Sequence, residues 1–276
     1  MWRDFRASWT AMTGLGVTVF VLLCVIVVAS LMPYSPTKMS FTGVLQPPSL
    51  AHLFGTDSFG RDVFTRVLYG ARVSLVISGA GIALALLIGT TVGMTAAYLG
   101  RLYDLLVMRF MDLLFSFPSF VLALFLMVIL GFGVVNVSIA IALVYIPIFA
   151  RLAHNMTLAV REEPYVQAAR LMGQHPLRLL AREILPNIAA PLMVQASIGV
   201  AFGIVIEAGL SFIGLGVQPP TPSLGVIMAD GQEYFRRAPW VLTMSGLAVC
   251  FALLGLNLLG DGLRDLVDPR LRKRAE

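Results

Sequence analysis

The chain has 276 residues, of which 58% are hydrophobic and only 13% charged, with a mean hydropathy of +0.86. A water-soluble domain of this size carries about twice that charged fraction, so a soluble fold is excluded in favour of an all-α polytopic membrane protein. The net charge of +5 is spread over several loops with no basic-aromatic platform, which argues against nucleic acid and makes the basic residues topology signals.

Six apolar runs approach the roughly 20 residues a bilayer requires, near 11–32, 73–98, 112–133, 136–153, 189–213 and 240–260. The first is too long for the core of a signal peptide and lacks a small-residue cleavage site, so it is read as a span. Cys24 and Cys250 fall in the first and last runs and are expected to be small core residues, not a disulfide or metal pair. Residues 1–72 divide off as tail, first span and amphipathic segment, and 73–276 as a core of five spans.

Between the first two runs, Gly55-Thr56-Asp57 suits a turn, with Asp57 as helix cap. Phe59, Val63, Val67 and Ala71 then recur every four residues. That repeat predicts an amphipathic helix lying on the outer membrane surface. The third and fourth runs form one apolar stretch, divided by Gly131-Phe132-Gly133 and Asn136. Asp112, near a membrane boundary, is expected to pair with Arg109 on one helix face, and path lining is the other reading.

Residues 154–190 are polar and helix-prone between two apolar runs. Glu162, Glu163 and Pro164 suit a helix start, and Gly173 ends that helix near Met172. A second helix is predicted from Pro176 through Arg178 to Leu185, stopped by Pro186. Two helices joined at a glycine make a compact knob for an external partner to grip. Glu207 follows inside the fifth run, where an acidic residue facing lipid costs about 2.5–3.5 kcal/mol. Two readings fit it: lining of a path with contact to a substrate amine, or an interhelical hydrogen bond. Pro219, Pro220 and Pro222 keep Val217–Ser223 out of regular helix, as an outer cap or a connector.

Placing both termini in the cytoplasm puts 14 of the 20 lysines and arginines on that side. Lys38, Arg61, Arg66, Arg72, Arg236 and Arg237 are left outside. Residues 154–190 are then cytoplasmic, and the loops 33–72 and 214–239 lie outside.

The order Gln167-Ala168-Ala169, Gly173 and Leu185-Pro186 resembles the "EAA" coupling loop of ABC importer permeases. This sequence departs from that pattern at Gln167, where the family has Glu, and at Glu183, where a hydrophobic residue is usual. Three further stretches resemble the dipeptide/oligopeptide branch, specifically its C-type subunit. They are Phe54–Leu75, then Asp104 with Met108-Arg109, Asp112 and Pro118, then Gly209–Gly216 running into Gln218-Pro219-Pro220.

The resemblance implies a type I permease fold in the bacterial inner membrane. It implies a heterodimer with a homologous second permease, two ATPase subunits that bind the ATP and magnesium, and an extracytoplasmic binding protein. ATPase coupling would fall to Gln167, Ala168, Ala169, Gly173, His175, Arg178, Leu185 and Pro186. Glu207 and Asp112 become candidates for the path. Asp57, Arg61, Asp62, Arg66, Gln218 and Pro219 become candidates for an outer gate or binding-protein contact. Cargo stays open among dipeptides, longer peptides, glutathione-like thiols and chelated nickel.

The sequence holds no phosphate-binding Gly-Lys-Ser/Thr, since its lysines, Lys38 and Lys273, follow Thr37 and Arg272. His52, His154 and His175 lack zinc spacing, and there is no Gly-x-Ser-x-Gly elbow. An enzyme or a bound cofactor is therefore not expected. A stand-alone channel or secondary transporter would need more intramembrane ionisable groups than Glu207.

Overall fold

A computed structural model describes residues 9–41 and 43–267. Both chain ends, with Arg3, Arg6, Arg270, Arg272, Lys273 and Arg274 used above for orientation, lie outside the described residues. Within them the chain is helical, with one isolated bridge between Thr56 and Asp62 and no strand. Among the described residues five helices are long and apolar enough to cross a membrane, and a bent pair counted as one span makes six.

Helix α1 (Trp9–Leu23) continues through a wide π turn, Cys24–Val28, to Leu31. Cys24 is half-buried and Cys250 exposed, both as free thiols. The expectation of two core cysteines is thus corrected: an apolar thiol on a lipid-facing helix surface loses nothing by exposure to hydrocarbon.

Helix α2 (Val63–Leu99) spans 37 residues, about 55 Å at 1.5 Å per residue, well beyond the hydrocarbon thickness of about 30 Å. The amphipathic helix expected on the membrane surface is its first turns. Phe59 precedes the helix and is exposed, whereas Val63, Val67 and Ala71 bury against Val25, Leu224, Ile227 and Val241, so these three mark a protein-packed face and not a lipid-facing one. Its cap is Asp62, not Asp57: the Asp62 carboxylate accepts the Thr65 N–H at 2.8 Å and the Thr65 hydroxyl at 2.7 Å.

The third apolar run is not one straight helix. Helices α3 (Arg101–Phe115) and α4 (Ser119–Leu130) meet at a 95° bend ahead of Pro118. Helix α4, about 18 Å long, is too short to cross alone. The acidic side of α3 faces α5 (Val134–Val160): Asp104 meets His154 at 2.8 Å and Asp112 meets Arg151 at 2.5 Å. Arg109 reaches Asp112 only at 3.9 Å and is 72% exposed, so the expected i,i+3 pair is the weaker partner. Arg151 also stacks on Phe115 at 4.5 Å. The expected division at Gly131-Phe132-Gly133 is present, and the Asn136 amide donates to the carbonyls of Leu130 and Gly131 that the helix end leaves free.

Helices α6 (Pro164–Leu171) and α7 (Pro176–Leu179) form the knob. A π turn, Leu180–Ile184, then leads into α8 (Leu185–Phe212) without a break. Pro186 therefore does not stop the helix. The wider turn lets the Leu185 N–H reach the Leu180 carbonyl, five residues back, which relieves the crowding a proline ring imposes. The Asn187 amide occupies the Glu183 carbonyl at 2.6 Å. Helix α9 (Leu224–Glu233) lies within the expected outer connector, and α10 (Pro239–Val267) follows.

The tightest seam joins α2 to α5. Gly81, Ala85, Gly89, Gly93 and Ala97 recur every four residues on α2, all buried. A Cβ at Gly93 would stand 2.1 Å from the Ala150 carbonyl oxygen, and one at Gly89 2.7 Å from that of Ile146. Small residues let membrane helices approach backbone to backbone. Gly93→Leu is expected to lower the thermal stability of the detergent-purified chain by about 1–3 kcal/mol through overpacking. Gly79→Leu, with nothing within 4 Å of the new Cβ, should leave it near the parent value. Equal melting of the two variants would contradict this packing.

Candidate functional site

The knob is built by local signals. Pro164 and Pro176 occupy first-turn positions of α6 and α7, where a missing N–H costs nothing. Helix α6 ends in a Schellman motif. Gly173 adopts φ +78° and its N–H donates to the Arg170 carbonyl, while the Gln174 N–H reaches back to Ala169. His175 then caps α7, its Nδ1 accepting the Leu177 N–H at 3.3 Å, a role its sequence position did not suggest. The Gln167 side chain donates to the Glu162 carbonyl at 3.1 Å.

One side of the knob is sealed to the transmembrane core through Val166, Ala169, Leu179, Leu180 and Ile184. The other side is bare. Gln167, Ala168, Gly173, His175, Arg178, Leu185 and Pro186 are exposed, and Ala169 is the buried member of the candidate set. Around Gly173 stand Leu171 at 88% exposure, Met172 at 81% and Leu177 at 67%. Three large apolar side chains thus stand open on an otherwise polar loop. The Arg161 guanidinium fixes its base, donating to the Ala97 carbonyl at the end of α2 at 2.7 Å.

At the opposite end, residues far apart in sequence meet. Asp57 accepts the backbone N–H of Phe59 and of Arg61, and its carboxylate binds the guanidinium of Arg61 at 2.6 Å and that of Arg66. Asp230 of α9 completes the set, 3.2 Å from Arg61 and 3.1 Å from Arg66. The sequence reading missed Asp230, which sits 169 residues beyond Arg61. Asp57, Arg61 and Arg66 are buried, so they clamp the start of α2 to α9 and offer no surface for direct contact. Asp62 is buried as well, held by Thr65 and by His52 at 2.9 Å. Gln218 and Pro219 are exposed, at the turn that contains a cis Pro219–Pro220 peptide.

Of the two path candidates, Asp112 is partly exposed in its pair with Arg151. Glu207 is fully buried within the chain and accepts hydrogen bonds from Ser74 and Ser211. The structure does not bring the two together. Among the described residues no group of three His, Cys, Asp or Glu side chains stands close enough to hold a metal ion.

Residues 89–273 match the family of binding-protein-dependent transport system inner membrane components, and residues 1–48 match the N-terminal transmembrane domain of oligopeptide transport permease C. The dipeptide transport system permease protein of Alkalihalophilus pseudofirmus is 39% identical, over 98% of this chain and 90% of its own length. A di/tripeptide transport system permease protein of Pseudomonas aeruginosa is 38% identical, over 99% of this chain and 92% of its own. A glutathione transport system permease protein of Escherichia coli is also 38% identical, covering 98% and 90%. Among solved structures, an inward-facing form of the MetNI methionine ABC transporter has a chain that superposes with a TM-score of 0.59 at 18% identity. The match covers 73% of this chain and 96% of that one, a likeness of fold.

Proposed function

Because this chain belongs to the family of binding-protein-dependent transport system inner membrane components, we propose that it is the permease subunit of an ATP-driven importer of short peptides. The supporting observation is the knob: a surface with bare Leu171, Met172 and Leu177, whose reverse side is continuous with the core of the spans. A partner that grips this surface gains apolar burial and a rigid handle on α8 at once. ATPase subunits are the fitting partners, since the chain has no phosphate-binding loop with which to hydrolyse nucleotide itself. The knob and both chain ends then face the cytoplasm. ATP and magnesium belong to those subunits, and a second, homologous permease completes the path.

The peptide assignment rests on relatives named for dipeptides, di- and tripeptides and glutathione, which share backbone amides and terminal charges. A binding protein would deliver such a peptide at the opposite end, where Gln218 and Pro219 are open to contact. A stand-alone channel would need more intramembrane ionisable groups than Glu207, and Glu207 itself is enclosed by serines.

The test is reconstitution. The chain, co-expressed with the second permease and the ATPase subunits, is placed in liposomes with binding protein and a labelled dipeptide. Uptake is expected only with ATP and all subunits present. Uptake by the purified chain alone would overturn the assignment.

A further inference from the structure

Glu207 lies on α8, the helix that leads from the knob, and both its carboxyl oxygens are engaged. Ser74 of α2 donates its hydroxyl to Oε2 at 2.5 Å, and Ser211 donates to Oε1 at 2.7 Å. Each serine oxygen also accepts a backbone N–H. Ser211 Oγ accepts that of Val217 at 3.0 Å, and Ser74 Oγ accepts that of Leu224 at 3.4 Å. Val217 and Leu224 flank the proline-rich segment Gln218–Ser223. Both ends of that segment are therefore tied, through one hydroxyl each, to a single carboxyl group.

The surrounding backbone is shaped for these ties. A Cβ at Gly216 would fall 2.3 Å from Ser211 Oγ, and one at Gly225 2.2 Å from the Ala208 carbonyl oxygen. One at Gly70 would meet the Ser223 carbonyl carbon at 3.0 Å. Three glycines on three stretches of chain thus admit the close approach. The segment itself is buried at its ends, at Val217, Ser223 and Leu224, and exposed from Gln218 to Thr221. Its prolines remove three N–H donors with which it could have anchored itself. A carboxyl group presents two oxygens on one side chain, which lets it hold both relays at once.

We propose that Glu207 is a positioning residue that makes the outer segment Gln218–Ser223 move with α8. Displacement of the knob is then carried along one helix to the outer surface. The proposal rests on the importer reading, and its test separates the two.

In the assembled transporter in liposomes, Cys24 and Cys250 are replaced by alanine and Thr221→Cys serves as reporter. Its labelling by a membrane-impermeant maleimide is timed without nucleotide and with ATP plus vanadate. In the Glu207 background the rate is expected to change by at least about fivefold between the two states, the lower end of ordinary coupling between sites. In Glu207→Gln, which keeps the volume but replaces one acceptor by a donor, the change should fall below about twofold, with less dipeptide carried per ATP hydrolysed. Ser74→Ala combined with Ser211→Ala should reproduce it, which guards against a folding defect peculiar to position 207. Full state dependence in these variants overturns the proposal, as does an absent response in the Glu207 background. In both cases normal dipeptide uptake leaves the importer reading standing. Failure of the unmodified complex to take up dipeptide overturns both.

Discussion

Gly173→Val is expected to leave membrane insertion intact and to weaken ATPase docking by roughly tenfold, with a matching loss of substrate-stimulated ATP hydrolysis. The cause is the backbone and not a clash. A Cβ at position 173 would meet nothing within 4 Å, so the site has room for a side chain. Its φ of +78°, however, costs an ordinary residue about 1–2 kcal/mol, and a β-branched one adopts it as an outlier. The cheapest relief is to open the turn. That breaks the bonds from Gly173 to Arg170 and from Gln174 to Ala169 and moves Leu171 and Met172 out of register with Leu177. Asparagine tolerates the left-handed region, so Gly173→Asn should retain most of the binding, with Gly173→Ala between. The series is read by co-purification of the ATPase subunits and by ATP hydrolysis in the assembled complex. Asparagine and valine acting alike would mean that the turn geometry is irrelevant to docking.

The second large effect concerns folding stability. Arg66 is fully buried, with Asp57 and Asp230 as its partners. Without Arg66, Asp57 and Asp230 share Arg61 alone, which leaves one carboxylate charge uncompensated in a largely buried cluster, and breaking a buried pair here costs at most about 3–5 kcal/mol. Arg66→Met keeps the apolar stem and deletes the charge, so this cost should dominate. The start of α2 would loosen from α9. Arg109→Ala is the contrast: Arg109 is 72% exposed and 3.9 Å from Asp112, and such surface changes fall within about 0.5 kcal/mol. Thermal unfolding of the two purified variants should differ accordingly, and a loss at Arg66 no larger than that at Arg109 would remove the clamp from the account.

How much could be read in advance depended on how local each signal was. The knob was legible because Pro164, Gly173 and Pro176 act within a few residues of themselves. The clamp was only half legible. Asp57, Arg61 and Arg66 are neighbours in sequence, but Asp230 arrives from a ten-residue helix hidden between prolines and arginines in an expected connector. Asp62 took the capping role assigned to Asp57 because the helix begins one residue later, and a cap must sit beside the first turn. The α3–α4 elbow was masked because the apolar run begins within the last turn of amphipathic α3 and continues through α4, and hydropathy along the chain carries no record of direction. Pro186 misled in the opposite sense. A proline reads as a stop unless the preceding turn widens, and nothing in Leu180–Ile184 announces that it does.

The seam of small residues on α2 has a mechanical consequence. Helices that touch backbone to backbone have no long side chains between them to deform, so α2 and α5 form one stiff beam. From Gly81 to Ala97 the seam runs about 24 Å. A beam of that length tilted by about 10° about one end displaces the other by roughly 4 Å, comparable to the close spacing of side-chain rows on a helix. Stiffness of this kind makes a small rotation useful. A rotation of that size introduced where Arg161 grips the end of α2 would reach the far end of the seam as a shift approaching one side-chain spacing.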